Sequence, residues 1–350
     1  MTKYDITRPG FTLPAHFCIA PKSFQADRTI PDVDTIIQPA RQFGAARWSF
    51  VLEDGESQSK DLGRRAKLMA SVAKPTPIIY DQMPVFDARI MSPSNFAHFT
   101  CFHVPMMAET ARQLGCRHTD LKVILPANVP DYIKNLATLF ELDVLFTDAP
   151  VQGQIVTFEQ ELTQDELRTG RRKMIEHANL PTHIARQVQA RNPATGPRVF
   201  LARRGSRALE NNDEIKTYLE RRGYEMIYAE DLPLIDQFGI MQNAERLVAI
   251  HGAGIAPMLY LNNPQKLRSF IEITPVGLTS TYFREMAHAL GLYHITVRGR
   301  LKPAYVPDIY EAPAPFLAFQ NDTFHLDVDA LDHALNFATD QIEVPPGLPV

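Results

Sequence analysis

Short apolar runs and longer periodic stretches alternate along this chain in two blocks. Up to about residue 95 the runs Phe17-Cys18-Ile19-Ala20, Trp48-Ser49-Phe50-Val51-Leu52 and Pro77-Ile78-Ile79-Tyr80 stand between proline-rich stretches. They read as strands or extended segments separated by turns. Residues 95–114 then follow a helical period. Leu121-Lys122-Val123-Ile124-Leu125-Pro126 reads as a buried strand, 131–140 as a helix with Ile133, Leu136, Ala137 and Phe140 on one face, and 142–146 as another strand. Alternation of this kind predicts a parallel sheet covered by helices.

The stretch 163–191 is strongly charged, helical in period and interrupted by Pro181; it reads as connecting helices, with Arg171-Arg172 on a solvated face. Strand and helix then alternate regularly. Strands are expected at 198–202, 224–228, 247–250 and 270–273, and helices at 232–243, 279–290 and 327–338. A further helix begins at Asn211-x-x-Glu214, a capping-box-like spacing, buries Ile215, Tyr218 and Leu219, and ends at Gly223. The predicted architecture is α/β, with two Rossmann-like, doubly wound domains facing a cleft. Its boundaries are 1–160 for an N-terminal acceptor-side domain, 161–195 for the connecting helices and 196–300 for a nucleotide-sugar-binding domain. Residues 301–350 are expected to pack back on the N-terminal domain.

At 350 residues the chain exceeds one ordinary core, which agrees with two domains. With 45% apolar and 22% charged residues it has the composition of a soluble globular protein. A net charge of -4 argues against nucleic acid as a partner. No secretory pattern opens the sequence and no run approaches the ~20 apolar residues that span a bilayer. Three cysteines, Cys18, Cys101 and Cys116, fit a reducing compartment. The expected location is the cytoplasm, with room left for peripheral membrane or homo-oligomer association.

The candidate chemistry gathers in the second block. At Leu247-Val248-Ala249-Ile250-His251-Gly252-Ala253-Gly254 an apolar strand breaks into a glycine loop, and a new apolar stretch follows at once. Strand, glycine turn and helix start together offer N–H groups to a phosphate. Arg203 and Arg207 lie just past the strand ending at Ala202, where ligands of open α/β sheets bind, and both could converge on one diphosphate. Glu272 is an acid in the apolar strand Phe270-Ile271-Glu272-Ile273 and needs a partner, such as ribose hydroxyls. Each feature also has a plainer reading: surface arginines, a tight turn, a carboxylate capping a helix. Gly252-x-Gly254-x-x-Pro257 with Glu272 about twenty residues later nearly matches a dinucleotide fingerprint, so an NAD-dependent oxidoreductase stands as an alternative. His98, Cys101, His103, Cys116 and His118 could ligate zinc, but their spacing fits no usual zinc pattern. Asp32-Val33-Asp34 and Asp327-Val328-Asp329 have Asp-x-Asp spacing without the buried strand a metal-binding version follows. No metal and no cofactor are expected.

Together these residues resemble glycosyltransferase family 61. The matching elements are Arg203, Arg207, Asn211 with Glu214, Gly223-Tyr224-Glu225, Gln237, His251-Gly252-Ala253-Gly254 and Glu272. Upstream, Asn95-Phe96-Ala97-His98-Phe99 followed by Pro105 is similar to the family's acceptor-side segment. The chain departs from the family at Pro257, where Asn is frequent, and in lacking an acid near Phe102. The resemblance, to bacterial capsular-polysaccharide-type members, implies a GT-B fold and metal-independent, inverting transfer. The donor would be a nucleotide sugar, usually UDP-linked, and the acceptor a hydroxyl of a glycan or glycoconjugate. It places Arg203, Arg207, Gln237, His251, Gly252, Ala253, Gly254 and Glu272 on the donor, with His98, or His103 in its stead, as the catalytic base. A non-catalytic nucleotide-sugar binder is the remaining alternative.

Overall fold

A computed structural model describes residues 2–8, 10–13, 16–21, 33–38, 41–43, 46–57, 76–89, 92–158, 170–191, 196–275, 277–278, 280–300 and 320–343. The chain divides into two compact units, Met1–Phe11 with Gly44–Gln187 and Thr12–Phe43 with Val188–Val350. The exchange of residues 12–43 into the second unit is not part of the boundaries expected from the sequence. Residues 301–319, Asp32 and the start of the helix expected at 163 lie outside the described residues.

The first unit carries a six-stranded sheet in the order β1-β6-β10-β7-β8-β9. Its strands are β1 (Thr2–Arg8), β6 (Ala46–Ser57), β7 (Ile78–Asp87), β8 (Lys122–Leu125), β9 (Asp143–Phe146) and β10 (Val151–Phe158). From β10 to β9 the strands run parallel, while β6 pairs antiparallel with both β1 and β10. The register of β10 on β7 shifts at Gly153, where a Cβ would meet the Tyr80 carbonyl; glycine permits this close approach at the bulge. Arg89, 1% exposed, pairs with Asp87 and donates to the carbonyls of Ser57, Thr147 and Ala149, so its charge is buried with partners.

The expected helix after Asn95 forms as α1 (Phe96–His98), a π turn at Phe99–His103 and α2 (Val104–Leu114). Gly115, at φ 72°, closes α2 with its N–H on the Ala111 and Arg112 carbonyls, while the Cys116 N–H returns to Ala111 O. α3 (Asp131–Leu139) buries Ile133, Leu136 and Ala137, the face its periodicity predicts. α4 (Arg171–His177) packs on α2. Here Arg171 and Arg172 are 3% and 8% exposed, not solvated as their sequence suggests. Arg171 donates to Cys101 O at 3.1 Å and lies over the Phe102 ring, partners that only packing supplies.

The second unit carries seven strands in the order β12-β11-β13-β14-β15-β3-β4. These are β3 (His16–Pro21), β4 (Val33–Gln38), β11 (Arg198–Ala202), β12 (Glu225–Tyr228), β13 (Arg246–Ile250), β14 (Ser269–Thr274) and β15 (His294–Arg298). All neighbours are parallel except β4 on β3. Burial along β13 and β14 is nearly continuous, as in a sheet covered on both faces. The helices between strands are α6 (Asn212–Arg221), α7 (Leu234–Asn243) and α8 (Tyr282–Ala289), with α5 (Leu180–Arg191) before β11. α9 (Val328–Glu343) buries Ala330, Leu331, Ala334, Leu335 and Ala338 on β15, β3 and β14. The described part of 301–350 thus packs on the second unit's sheet, including β3 and β4, which come from within the stretch 1–160 expected as the N-terminal domain. Asn211 ties α6 to the approach of α9 as well as to Glu214, donating to Leu326 O and accepting from Leu326 N.

Candidate functional site

In chain order the second unit's strands β11 to β15 are arranged 2-1-3-4-5, so the winding reverses between β11 and β13. Open α/β sheets bind ligands in the crevice outside the carboxyl ends of the strands at such a reversal. Arg203 follows β11 and His251 follows β13, and these are the two ends that flank it.

The three arginines of the loop after β11 sort themselves by partner. Arg204 makes a bidentate pair with Asp231 at 2.7 Å and stacks on Tyr228, which anchors it away from the crevice. Arg203 is held by Ser206, through O at 2.6 Å and Oγ at 3.0 Å, and by His251 O at 3.4 Å. Arg207, in the left-handed region at φ 63°, donates to Gln320 O and Asn321 Oδ1. Among the described residues neither Arg203 nor Arg207 has a carboxylate within ion-pair distance. Burial lowers the pKa of both, and Arg203 lowers that of Arg207 further, so the two charges feel each other. Glu230 acts on Arg203 only from beyond ion-pair distance, and two half-buried guanidiniums without a paired carboxylate have the charge and fork geometry that suit an anion.

The glycine loop completes it. Gly252 is extended, and a Cβ there would overlap the Arg203 guanidinium; glycine is what lets the arginine lie against the loop. The run after it is a 3-10 helix, Ala253–Tyr260, with Pro257 inside, rather than the α-helix start the sequence suggests. Proline has no N–H for an α-helical ladder. Among the described residues the N–H groups of Gly252, Ala253 and Gly254 meet no backbone acceptor outside that helix, the usual state of a helix's first donors.

Glu272 sits beneath His251. Its two oxygens accept from His251 Nδ1 and from His294 Nε2, the latter at 3.0 Å. At 2% exposure its charge is buried, and the two histidines supply the partners that an acid in an apolar strand requires. Burial alone would raise the carboxyl; the hydrogen bonds and charges of His251 and His294 outweigh it and hold the pKa at about 2. The ladder continues sideways: His294 stacks on His16 with centroids 4.7 Å apart, and His16 Nε2 bonds Thr296 Oγ1 at 2.8 Å. His251 Nε2 has no hydrogen-bond partner among the described residues, so the ring is oriented by Glu272 with one nitrogen to spare.

Burial, then the neighbouring His294 and Arg284, push the His16 imidazole down to about 2 from 6.5. A depressed pKa means stability that is complete above the unfolded value and lost on acidification. Below pH 6.5 the unfolded chain binds a proton that the folded chain refuses, and below 4.5 Glu272 adds a loss of the same sign. Urea unfolding should therefore weaken by about 1 kcal/mol per pH unit between pH 6 and 5. His16→Leu should flatten that slope; an unchanged slope would remove His16 as its source.

The other expected residues lie elsewhere. His98 is half-buried in the first unit, and Asn95 caps its helix by accepting the His98 N–H at 3.1 Å. The i→i+5 bonding of the π turn brings positions five apart, such as His98 and His103, towards one side. Yet His103 is 1% exposed, against Phe99. Gln237 Nε2 donates to Leu232 O, at the start of its own helix. Among the described residues no three His, Cys, Asp or Glu side chains group as metal ligands. The sequence reading missed His294 and His16; the signal was two histidines in apolar strand-like runs, which need buried partners as Glu272 does.

Two guanidiniums and a glycine loop gather at the reversal of an open parallel sheet, the place where sheets of this class hold their ligands. The model of the glycosyltransferase 61 family matches residues 79–267, more than half of the chain, and the chain belongs to that family. It is a glycosyltransferase, with a sugar donor and an acceptor as its substrates. The match takes in Arg203, Arg207, Gln237 and the His251 loop, and ends before Glu272. No curated protein matches the chain. No described helix is long and apolar enough to cross a membrane.

Proposed function

We propose that the chain is an inverting, metal-independent glycosyltransferase of GT-B type. It moves a sugar from a UDP-linked donor to a hydroxyl of a glycan or glycoconjugate, in bacterial capsular-type polysaccharide assembly in the cytoplasm. The observation that carries this is the packing of Arg203 on the His251-Gly252 loop, with Arg207 beside it, at the reversal of the sheet. As the bond from the anomeric carbon to the diphosphate oxygen breaks, negative charge grows on the leaving group. Arg203, Arg207 and the loop N–H groups are fixed donors for that charge, joined by His251 Nε2 when that ring is protonated, and preorganised donors of this kind contribute most to such reactions. The acceptor oxygen forms the new bond and gives up its proton to a base. We assign the base to His98, since burial keeps His103 from any substrate. Glu272 orients His251, the part a carboxylate plays behind a catalytic imidazole.

The test is UDP calorimetry on Arg203→Ala and Arg207→Ala. Each should lose about 1.5–3 kcal/mol of affinity, the range for charge-assisted hydrogen bonds. Lysine at Arg207 should restore only part, because the fork geometry is gone. Unchanged affinity in both alanine variants, with folding intact by circular dichroism, would sink the donor assignment. Of the alternatives, the buried Glu272 speaks against the dinucleotide reading, and release of free UDP from a UDP-sugar excludes the non-catalytic one.

A further inference from the structure

Three other arginines of the second unit gather at the opposite end of its sheet. Arg198 opens β11 and Arg246 opens β13, and the two are direct partners in the parallel register. Arg222 caps the end of α6, two residues before Tyr224. A five-residue strand separates this end from Arg203 and His251 by roughly 16 Å. It is therefore not part of the donor crevice.

Like charges in direct register across a sheet are destabilising unless something compensates them. Among the described residues Arg198 and Arg246 have no carboxylate partner, and Arg222 alone has one, Asp332. Their guanidiniums are nonetheless held in place. Arg198 Nη1 donates to Arg222 O at 2.8 Å, Arg246 Nη1 to Thr339 Oγ1 at 3.1 Å and Arg222 Nη1 to Asn336 Oδ1 at 3.1 Å. Together they line a pocket of about 360 Å³. Tyr224 also lines it; the side chain is 6% exposed, and its hydroxyl has no hydrogen-bond partner among the described residues. Burial raises the Tyr224 pKa while Arg246, Arg198 and Arg222 pull it back, so all three charges bear on that hydroxyl.

We propose that this pocket is a second anion site, which binds the phosphate of a small phosphomonoester between Arg198 and Arg246 with the Tyr224 hydroxyl as a further donor. Guanidinium forks match phosphate oxygens bidentately, and the Tyr224 hydroxyl, without a hydrogen-bond partner among the described residues, supplies a neutral donor at the same pocket. The volume exceeds what a bare phosphate fills and lies at the small end of pockets for organic ligands, so the phosphate carries a compact organic group such as a sugar.

Calorimetry of the full chain with glucose 6-phosphate tests this, with inorganic phosphate and glucuronate as comparisons. Arg198→Gln combined with Arg246→Gln should weaken glucose 6-phosphate binding by about tenfold or more, and Tyr224→Phe by about threefold. Arg203→Ala combined with Arg207→Ala, in the donor crevice, should leave it unchanged. Glucuronate should bind at least tenfold more weakly, and inorganic phosphate more weakly than the sugar phosphate. Binding that survives the first double variant, or is lost only in the donor-crevice variant, overturns the assignment. So does glucuronate binding as tightly as the phosphate, or no binding by the native protein at millimolar ligand. Should the arginine double variant fail to fold by circular dichroism, Tyr224→Phe, which keeps the ring in place, decides alone.

Discussion

His98→Ala is expected to lower turnover by roughly 10²–10⁴-fold, the range for loss of a general base, while affinity for UDP stays within twofold of the native protein. Imidazole suits the role because its unperturbed pKa lies near working pH and no large tuning is required. Half-burial and the Asn95 cap hold the residue without sealing it off. The readout is UDP release from a UDP-sugar with acceptor present, alongside circular dichroism. Near-native turnover in a folded variant would make His98 structural and pass the role to an Asp or Glu of the first unit. His103→Ala separates the two histidines differently: at 1% exposure its removal should cost stability before it costs chemistry.

The largest stability effect is expected at Glu272. Glu272→Ala removes the common acceptor of two buried histidines and should cost about 3–5 kcal/mol, the range for breaking a buried charged pair from one side. Glu272→Gln keeps the shape and one carbonyl acceptor, and should cost about 1–3 kcal/mol. Urea midpoints at pH 7 check both. If each variant stays within 0.5 kcal/mol of the native protein, a threshold on the order of a neutral surface change, the His251–Glu272–His294 ladder contributes nothing to the fold. A loss of UDP affinity in Glu272→Gln larger than its loss of stability predicts would support Glu272 as the orienter of His251.

Much of the second unit was legible from local pattern. β11, β12, β13 and β14 fall within a residue or two of their expected positions, because strand alternation and helix period are properties of five to twelve neighbouring residues. The places of Arg203 and His251 were legible for a related reason: each follows a strand end directly, and strand ends carry ligands in such sheets. β10 and β15 went unread, since Gly153 and the polar residues in 151–158 and His294 in 294–298 disguise them. Arg171 and Arg172 were misplaced because charge predicts exposure only until a partner such as Cys101 O or the Phe102 ring is packed beside it.

By itself the sequence determined the α/β class, the order of the elements in the second unit, the glycine loop with its arginines and the need of Glu272 for a partner. Tertiary structure alone decided which partner that was. His294 reaches Glu272 because β15 lies beside β14 in a register that sets Phe270 against His294 and Glu272 against Thr296. His16 reaches Thr296 across 280 positions of sequence because β3 joins the second unit's sheet rather than the first's. Local periodicity fixes which face of a strand is apolar. It carries no information on which strand lies alongside, and the choice between pairings depends on side chains that meet only once the sheet has closed around them.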